Sequence, residues 1–219
     1  MKNVNTWVEV SKSGLEHNLK LYKNAVDPAK IMPIVKSNAY GHGMVQVAKI
    51  VEDGADFIGV VNLDEALELV SCGIQKPIFI VSFFLGTDAD TTQAIKNKIR
   101  FPLYTTEDAQ KLHELGKRIN TKPKVHIKCD VGTSRVGVQL HELPEFLHTI
   151  KNLSLEIEGL FSHFASSEDN PGYTALQLQR FHEAHTILKN QGITPPYTHI
   201  ACSSATLTTP QSHKNLVRL

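Results

Sequence analysis

The sequence predicts an α/β protein built as a (β/α)8 barrel. Short β-rich runs alternate with stretches of helical periodicity from one end of the 219 residues to the other. Eight strand candidates can be picked out, and no Ser/Gly linker, repeat or low-complexity stretch separates them. Strands divided by helices pair in parallel through right-handed crossovers, and that number of units favours a barrel over an open doubly wound sheet.

The elements follow in order. Ser13, with Glu16 three positions on, forms a capping box, after which Leu15, Leu19, Tyr22 and Val26 fall on one helical face. The run IMPIVK (31–36) reads as a buried strand, followed by a Gly-rich turn and a helix from about Met44 to Asp53 that Gly54 closes. FIGVV (57–61) leads into a helix from about Asp64 to Gly73, and PIFIVS (77–82) into one near Asp88 to Asn97. In IRFPLY (99–104) Pro102 breaks a strand, and Thr106 then caps a helix spaced by Ala109, Leu112, Leu115 and Ile119. KVHIKCD (124–130), LEIEGLFSHF (155–164), YTHIAC (197–202) and NLVRL (215–219) complete the strands. TWVEV (6–10) is a strand-like run ahead of the first helix, and the sequence stops at Leu219 without an eighth helix, so the barrel is expected to be incomplete at the C-terminus.

Composition narrows the partners. Lys plus Arg number 23 against 22 for Asp plus Glu, which leaves no basic excess for a phosphate backbone and argues against nucleic acid. No apolar run approaches the roughly 18 residues of a spanning helix, and MKNVNTWVEV lacks the apolar core of a signal peptide. The expectation is a cytoplasmic protein that does not engage a membrane. Cys72, Cys129 and Cys202 are odd in number and form no CxxC, which fits reduced thiols and no metal site.

In a barrel, reacting groups gather where strands end at the C-terminal face. The first strand runs into VKSNAYGHG (35–43), which puts Lys36 at its end and Tyr40 shortly after. A lysine leaving an apolar strand can be desolvated enough to act as an amine nucleophile, although most strand-end lysines simply reach water. Here the surrounding residues decide: VKSNAYGHG resembles the cofactor-lysine motif of alanine racemases, which use pyridoxal 5′-phosphate. The resemblance implies that Lys36 holds the cofactor covalently and serves as one of two bases at the substrate α-carbon. It implies that Tyr40 donates its hydroxyl to the cofactor phosphate, while Gly41 and Gly43 allow close backbone approach. His42 is read as structural.

Four further segments are similar to the same family. KCDVGTSRVG (128–137) implies that Arg135 supports the cofactor's phenolic oxygen and the substrate, with Thr133 where methionine is usual. Lys128 matches a lysine that some members carry as a carbamate. GLFSHFASSED (159–169) implies that His163 packs beside the pyridine ring. HIACSSATL (199–207) implies that Ser203 contacts the phosphate, with Cys202 in place of the usual asparagine and so with a weaker hydrogen-bonding group. VRL (217–219) implies that Arg218 faces the pyridine nitrogen, where a permanent cation disfavours ring protonation and so favours racemisation over transamination.

The resemblance covers essentially the whole chain. It implies that residues 1–10 form a strand of a second, β-rich domain that the chain lacks, and that 11–219 are the cofactor-binding barrel without its last helix. The family's opposite-face base, a tyrosine from the partner subunit of a homodimer, is not among Tyr22, Tyr40, Tyr104, Tyr173 and Tyr197, all of which lie within barrel segments. Inverting an α-carbon needs a proton donor or acceptor on each face, so the 219 residues alone are expected to be a weakly active or inactive fragment of an isomerase that interconverts L- and D-alanine for cell-wall precursors. The competing readings are racemisation of serine or a basic amino acid, and a non-catalytic barrel that carries pyridoxal phosphate. A pure partner-binding scaffold has no specific residue in its favour.

Overall fold

A computed structural model describes residues 6–219. Helix α1 (Lys12–Val26) starts at Ser11, whose hydroxyl accepts the Gly14 N–H at 3.1 Å. The cap is thus two residues ahead of the Ser13 expected from the capping-box spacing. Strand β1 (Lys30–Met32) ends where Pro33 interrupts the run, and a five-residue turn α2 (Lys36–Tyr40) and helix α3 (Met44–Val51) follow. The pattern then repeats as β2 (Ile58–Val60), α4 (Leu63–Ser71), β3 (Ile78–Ile80), α5 (Asp88–Lys96), β4 (Arg100–Leu103) and α6 (Thr106–Arg118). β5 (Lys124–Asp130) has the bounds read from the sequence, and the two-residue β6 (Val138–Gln139) pairs beside its end. The chain continues through α7 (Leu143–Ile150), β7 (Glu156–Phe161), α8 (Pro171–Asn190), β8 (Tyr197–His199), α9 (Ser203–Thr208) and β9 (Leu216–Arg218).

Every strand pair is parallel. The order β2-β3-β4-β5-β7-β8 forms a curled sheet, and β1 pairs with β9. Two links join the pieces: Ile34 bridges Gly59 beside β2, and the Arg218 N–H donates to the Ala201 carbonyl at 3.1 Å beyond β8. The result is a curled parallel α/β barrel sheet with its helices outside. β2 and β3 are buried along their whole length, which is why they read as continuous apolar runs and not as alternating ones. Met32, Phe57, Phe79, Phe161 and Leu216 form a separate small cluster, distinct from the larger core in which helices pack against strands.

Three expectations need correction. Pro102 does not interrupt its strand, because β4 runs through it with Pro102 opposite His126. The cap of α6 is Thr105, which accepts the Asp108 N–H at 3.1 Å, while Thr106 is already helical. Several strand runs also stop short of their apolar limits: the long run 155–164 yields β7 only to Phe161, since Ser162 and the residues after it turn into the site. Residues 6–10 pair with no strand among the described residues, and Trp7 and Val8 are exposed there. Residues 1–5 of the expected N-terminal strand lie outside the described residues.

Candidate functional site

The strand ends converge on a cavity of about 350 Å³ lined by Lys36, Tyr40, Lys128, Arg135, His163, Ser203 and Arg218. These are the residues singled out from five separate sequence segments, and the fold brings all of them to one place. Four of them are lysines or arginines, and no Asp or Glu lines the cavity among the described residues. A concave site with that imbalance attracts an anion, and the lining mixes the cations with apolar walls from Ile34, Val81 and Phe161.

Lys36 is delivered by an unusual backbone. Ser37, Asn38, Ala39 and Tyr40 all have positive φ, between 50° and 54°, so α2 is a left-handed turn made of four non-glycine residues. Left-handed helical geometry costs an L-residue roughly 1–2 kcal/mol, so the turn exists only because its surroundings hold it. The clamp is Glu65 in the first turn of α4: one carboxylate oxygen accepts the Ser37 N–H at 2.6 Å, the other the Val61 N–H at 2.8 Å. Asn38 accepts the Met44 N–H at 2.9 Å and ties the turn to the start of α3. Lys36 Nζ sits 5.9 Å from the Tyr40 ring centroid, and the Tyr40 side chain stands out at the rim, 72% exposed. His42 is not among the residues lining the cavity and bonds the Ala39 carbonyl through Nδ1 at 2.8 Å.

Arg135 is placed by the loop that follows β5. Asp130 Oδ1 accepts the N–H groups of Gly132 and Thr133 at 2.8 Å each and of Ser134 at 3.2 Å, folding the loop around one carboxylate. Burial pushes the Asp130 carboxyl up, but these donors and the Thr133 hydroxyl outweigh it and hold it below the usual carboxylate range. Thr133, which departs from the family's methionine, thus adds a bond to the anchor of this loop.

Lys128 and His163 show what a crowded cationic site does to titration. Lys128 is 3% exposed, and burial, followed by Arg135 and Arg218, brings its ammonium down to about 8. His163 accepts an N–H from Arg218 Nη2 at Nδ1, 3.1 Å away, and is brought down to about 3 by burial first and Arg218 next. Burial lowers Arg218 to about 10, which leaves it charged at neutral pH.

These depressed values set an acid limit on stability. His126, His163 and His199 are all held below the ordinary histidine range, chiefly by burial, so the unfolded chain takes up protons first as pH falls. The stabilisation is complete above the ordinary value near 6.5 and is lost as pH drops toward the folded values, by up to about 1.4 kcal/mol per pH unit for each group. Urea midpoints are expected to fall steeply between about pH 7 and pH 5. A flat midpoint over that interval contradicts the assignment of neutral imidazoles.

The sequence reading missed Glu65, which clamps a turn 28 positions away in the chain and carries no local signal of that role. It also missed Phe161, which walls the cavity with Lys128 Nζ 5.4 Å and the Arg218 guanidinium 5.9 Å from its ring centroid. Cys202 lines the same cavity, and its Sγ lies 3.2 Å from the Ser167 hydroxyl.

The family model described as the N-terminal domain of alanine racemase matches residues 10–219. The alanine racemase of Syntrophobacter fumaroxidans is 37% identical over 218 residues, a match covering 97% of this chain and 57% of the relative. That of Methanococcus maripaludis is 34% identical, with 97% and 58% covered. Among solved structures, the Clostridium difficile 630 alanine racemase in complex with cycloserine superposes over all of this chain and 61% of its own, with a TM-score of 0.92 and 33% identity. The Bacillus anthracis enzyme with bound L-Ala-P gives a TM-score of 0.89 at 33% identity, over 98% of this chain and 56% of its own. The chain spans a little over half the length of the relatives it matches.

Proposed function

The chain belongs to the alanine racemase N-terminal domain family, and from that premise we propose that it is the cofactor-bearing barrel of a pyridoxal 5′-phosphate-dependent isomerase that interconverts L- and D-alanine. The observation that carries this reading is the convergence of Lys36, Arg135, His163, Ser203 and Arg218 on one carboxylate-free cavity. The cofactor is an anion with an electrophilic aldehyde, and this cavity offers a primary amine together with surplus positive charge and hydroxyl donors.

When bound, pyridoxal phosphate acidifies the α-proton of an amino acid by spreading the resulting negative charge over its ring. The chain's own residues do the rest. The Lys36 amine holds the cofactor and removes or returns the proton at the α-carbon on one face. Ser203 and Tyr40 bind the phosphate. His163, kept neutral by burial and by the surrounding cations, would pack beside the ring of the bound cofactor. Arg218 would present to the cofactor's ring nitrogen a guanidinium that keeps its own proton, and Arg135 would hold the substrate end. Substrate and a second subunit complete the site in a homodimer.

Lys128 fits a further part of the reading. Brought down to about 8, it has an appreciable neutral fraction near neutral pH, and a neutral amine adds carbon dioxide with loss of a proton to give a carbamate anion. That anion would offset part of the surrounding positive charge and give Arg135 a negative partner. Intact-mass measurement in bicarbonate is expected to show the added mass on this chain, absent from Lys128→Ala; an unmodified parent chain removes the carbamate from the scheme.

A single base serves a single face, which gives a direct test. The purified chain, loaded with cofactor and given each alanine enantiomer in heavy water, should exchange the α-proton of one enantiomer with retention. Inversion is expected at least about 100-fold more slowly, the usual contribution of one general acid or base. Fast inversion of both enantiomers by these residues alone, or cofactor uptake with no exchange at all, contradicts the proposed division of labour.

A further inference from the structure

A column of polar side chains runs through the barrel beneath Arg218, in a place where barrels ordinarily pack branched apolar residues. At its upper end Arg218 Nη1 donates to His199 Nδ1 at 3.0 Å, on β8. His199 Nε2 lies 2.9 Å from His126 Nδ1 on β5, and His126 Nε2 lies 3.3 Å from Glu158 Oε2 on β7. At the lower rim the Glu158 carboxylate accepts from Arg100 Nε and from Lys124 Nζ, each at 2.8 Å. Both imidazoles are fully buried, and Glu158 is 5% exposed.

The polarity of this column follows from donor chemistry alone. A guanidinium has no acceptor, so the His199 nitrogen facing it must be bare. His199 then carries its proton on Nε2 and donates to His126 Nδ1, which must be bare in turn. His126 therefore carries its proton on Nε2 and donates to a carboxylate that can only accept. Every hydrogen bond points the same way, from the cavity toward Glu158, and no link can be reversed without stripping a proton from Arg218. The alternative for these buried rings, an unpaired nitrogen, is unfavourable because the hydrogen bond lost to water is not replaced.

We propose that His126 and Glu158 are positioning residues of the site, acting through His199 to hold the Arg218 guanidinium in one orientation as a donor that cannot receive a proton from below. Arg218 has two arms: Nη1 is held by this column and by the His199 carbonyl at 3.5 Å, and Nη2 is shared between His163 Nδ1 at 3.1 Å and the Ile200 carbonyl at 3.2 Å. The column thus decides how the fork is rotated toward the cavity. Phe79 packs on both column imidazoles, with ring centroids 4.6 Å from His126 and 5.4 Å from His199, while Phe161 stacks on His199 at 5.1 Å, so neither ring has room to flip. The charged or titratable groups facing His126 are Glu158, Arg100, Lys124, Tyr197 and His199, and those facing His199 are Arg218 and His126. Burial and the neighbouring cations oppose protonation of both rings, which keeps the tautomers neutral. The inference rests on the proposed function, in which Arg218 meets the cofactor ring nitrogen.

Side-chain ¹⁵N NMR of the whole cofactor-free chain tests it. At neutral pH His126 and His199 are expected as neutral Nε2–H tautomers, with the Arg218 Nη protons resolved by slow rotation. Glu158→Leu should leave the His126 Nε2 proton without its acceptor and average the Arg218 Nη signals, and Glu158→Gln, which keeps an acceptor oxygen, should restore them. His126→Phe, which ends the column at His199 with little change in volume, should likewise average the Arg218 signals. Phe79→Leu is the control for packing alone and should lower stability while leaving the tautomers unchanged. A His199 that carries its proton on Nδ1, or Arg218 signals unmoved in every column variant, overturns the proposal. Cofactor takes no part in these spectra, so failure of the chain to bind pyridoxal phosphate would count against the proposed function and leave the column untouched.

Discussion

Lys36→Ala is expected to abolish covalent attachment of pyridoxal phosphate at the site. The parent chain, incubated with the cofactor and reduced with borohydride, should carry one stable pyridoxyl label on the peptide containing Lys36. Two amines line the cavity, so the competing position is known: Lys128, which is 3% exposed and walled by Phe161. If Lys36 is the attachment point, Lys128→Ala keeps the label and Lys36→Ala loses it. Under the proposed function the same substitution removes both the covalent link and one proton-transfer group, which together amount to about 10³-fold or more in α-proton exchange. Label found on Lys128, or undiminished in Lys36→Ala, would falsify the placement of the reactive amine.

The second large effect concerns Gly159, opposite His126 at an irregularity in the β5–β7 register. A Cβ on Gly159 would come within 2.7 Å of His126 Cε1 and closer still to Nδ1 and Cγ. His126 has no free space to yield, since Phe79, Tyr197 and His199 surround its ring. Gly159→Ala must therefore force the imidazole off its place and break its bond to His199. Overpacking of a tight core costs about 1–3 kcal/mol, and an orphaned buried nitrogen about as much again. For a chain of this size about 3 kcal/mol corresponds to a fall in Tm of roughly 10 °C. Gly73→Ala is the comparison: it meets no atom within 4 Å, so only the strain of its positive φ remains and the effect is several-fold smaller. Equal melting of the two variants would show that the ring is free to move.

Much of this arrangement was legible in the order of residues. The eight main strands were visible because parallel strands buried on both faces are short continuous apolar runs, and β5 was bounded correctly because Pro123 and Asp130 punctuate it. The caps at Ser11 and Thr105 were displaced because Ser13 and Thr106 offer the same hydroxyl nearby, and only backbone geometry distinguishes them. Site residues were recognisable where several sit in one local segment, as around Lys36 and Arg135. What stayed hidden is non-local or mirror-image in backbone: Glu65 reaching across to Ser37, His126 meeting His199 across the barrel, and a left-handed turn without a single glycine among its four positive-φ residues. Of these residues only Asn38 is of a type that favours the left-handed region, too little to announce four in a row.

That turn has a stereochemical corollary. Positions 37 to 40 occupy the half of conformational space that amino acids of the opposite hand inhabit without steric penalty. A chemically assembled chain with an inverted centre at Ala39 would therefore be relaxed where the ribosomal one is taut, and the difference would measure how much tension the protein keeps behind its reactive amine.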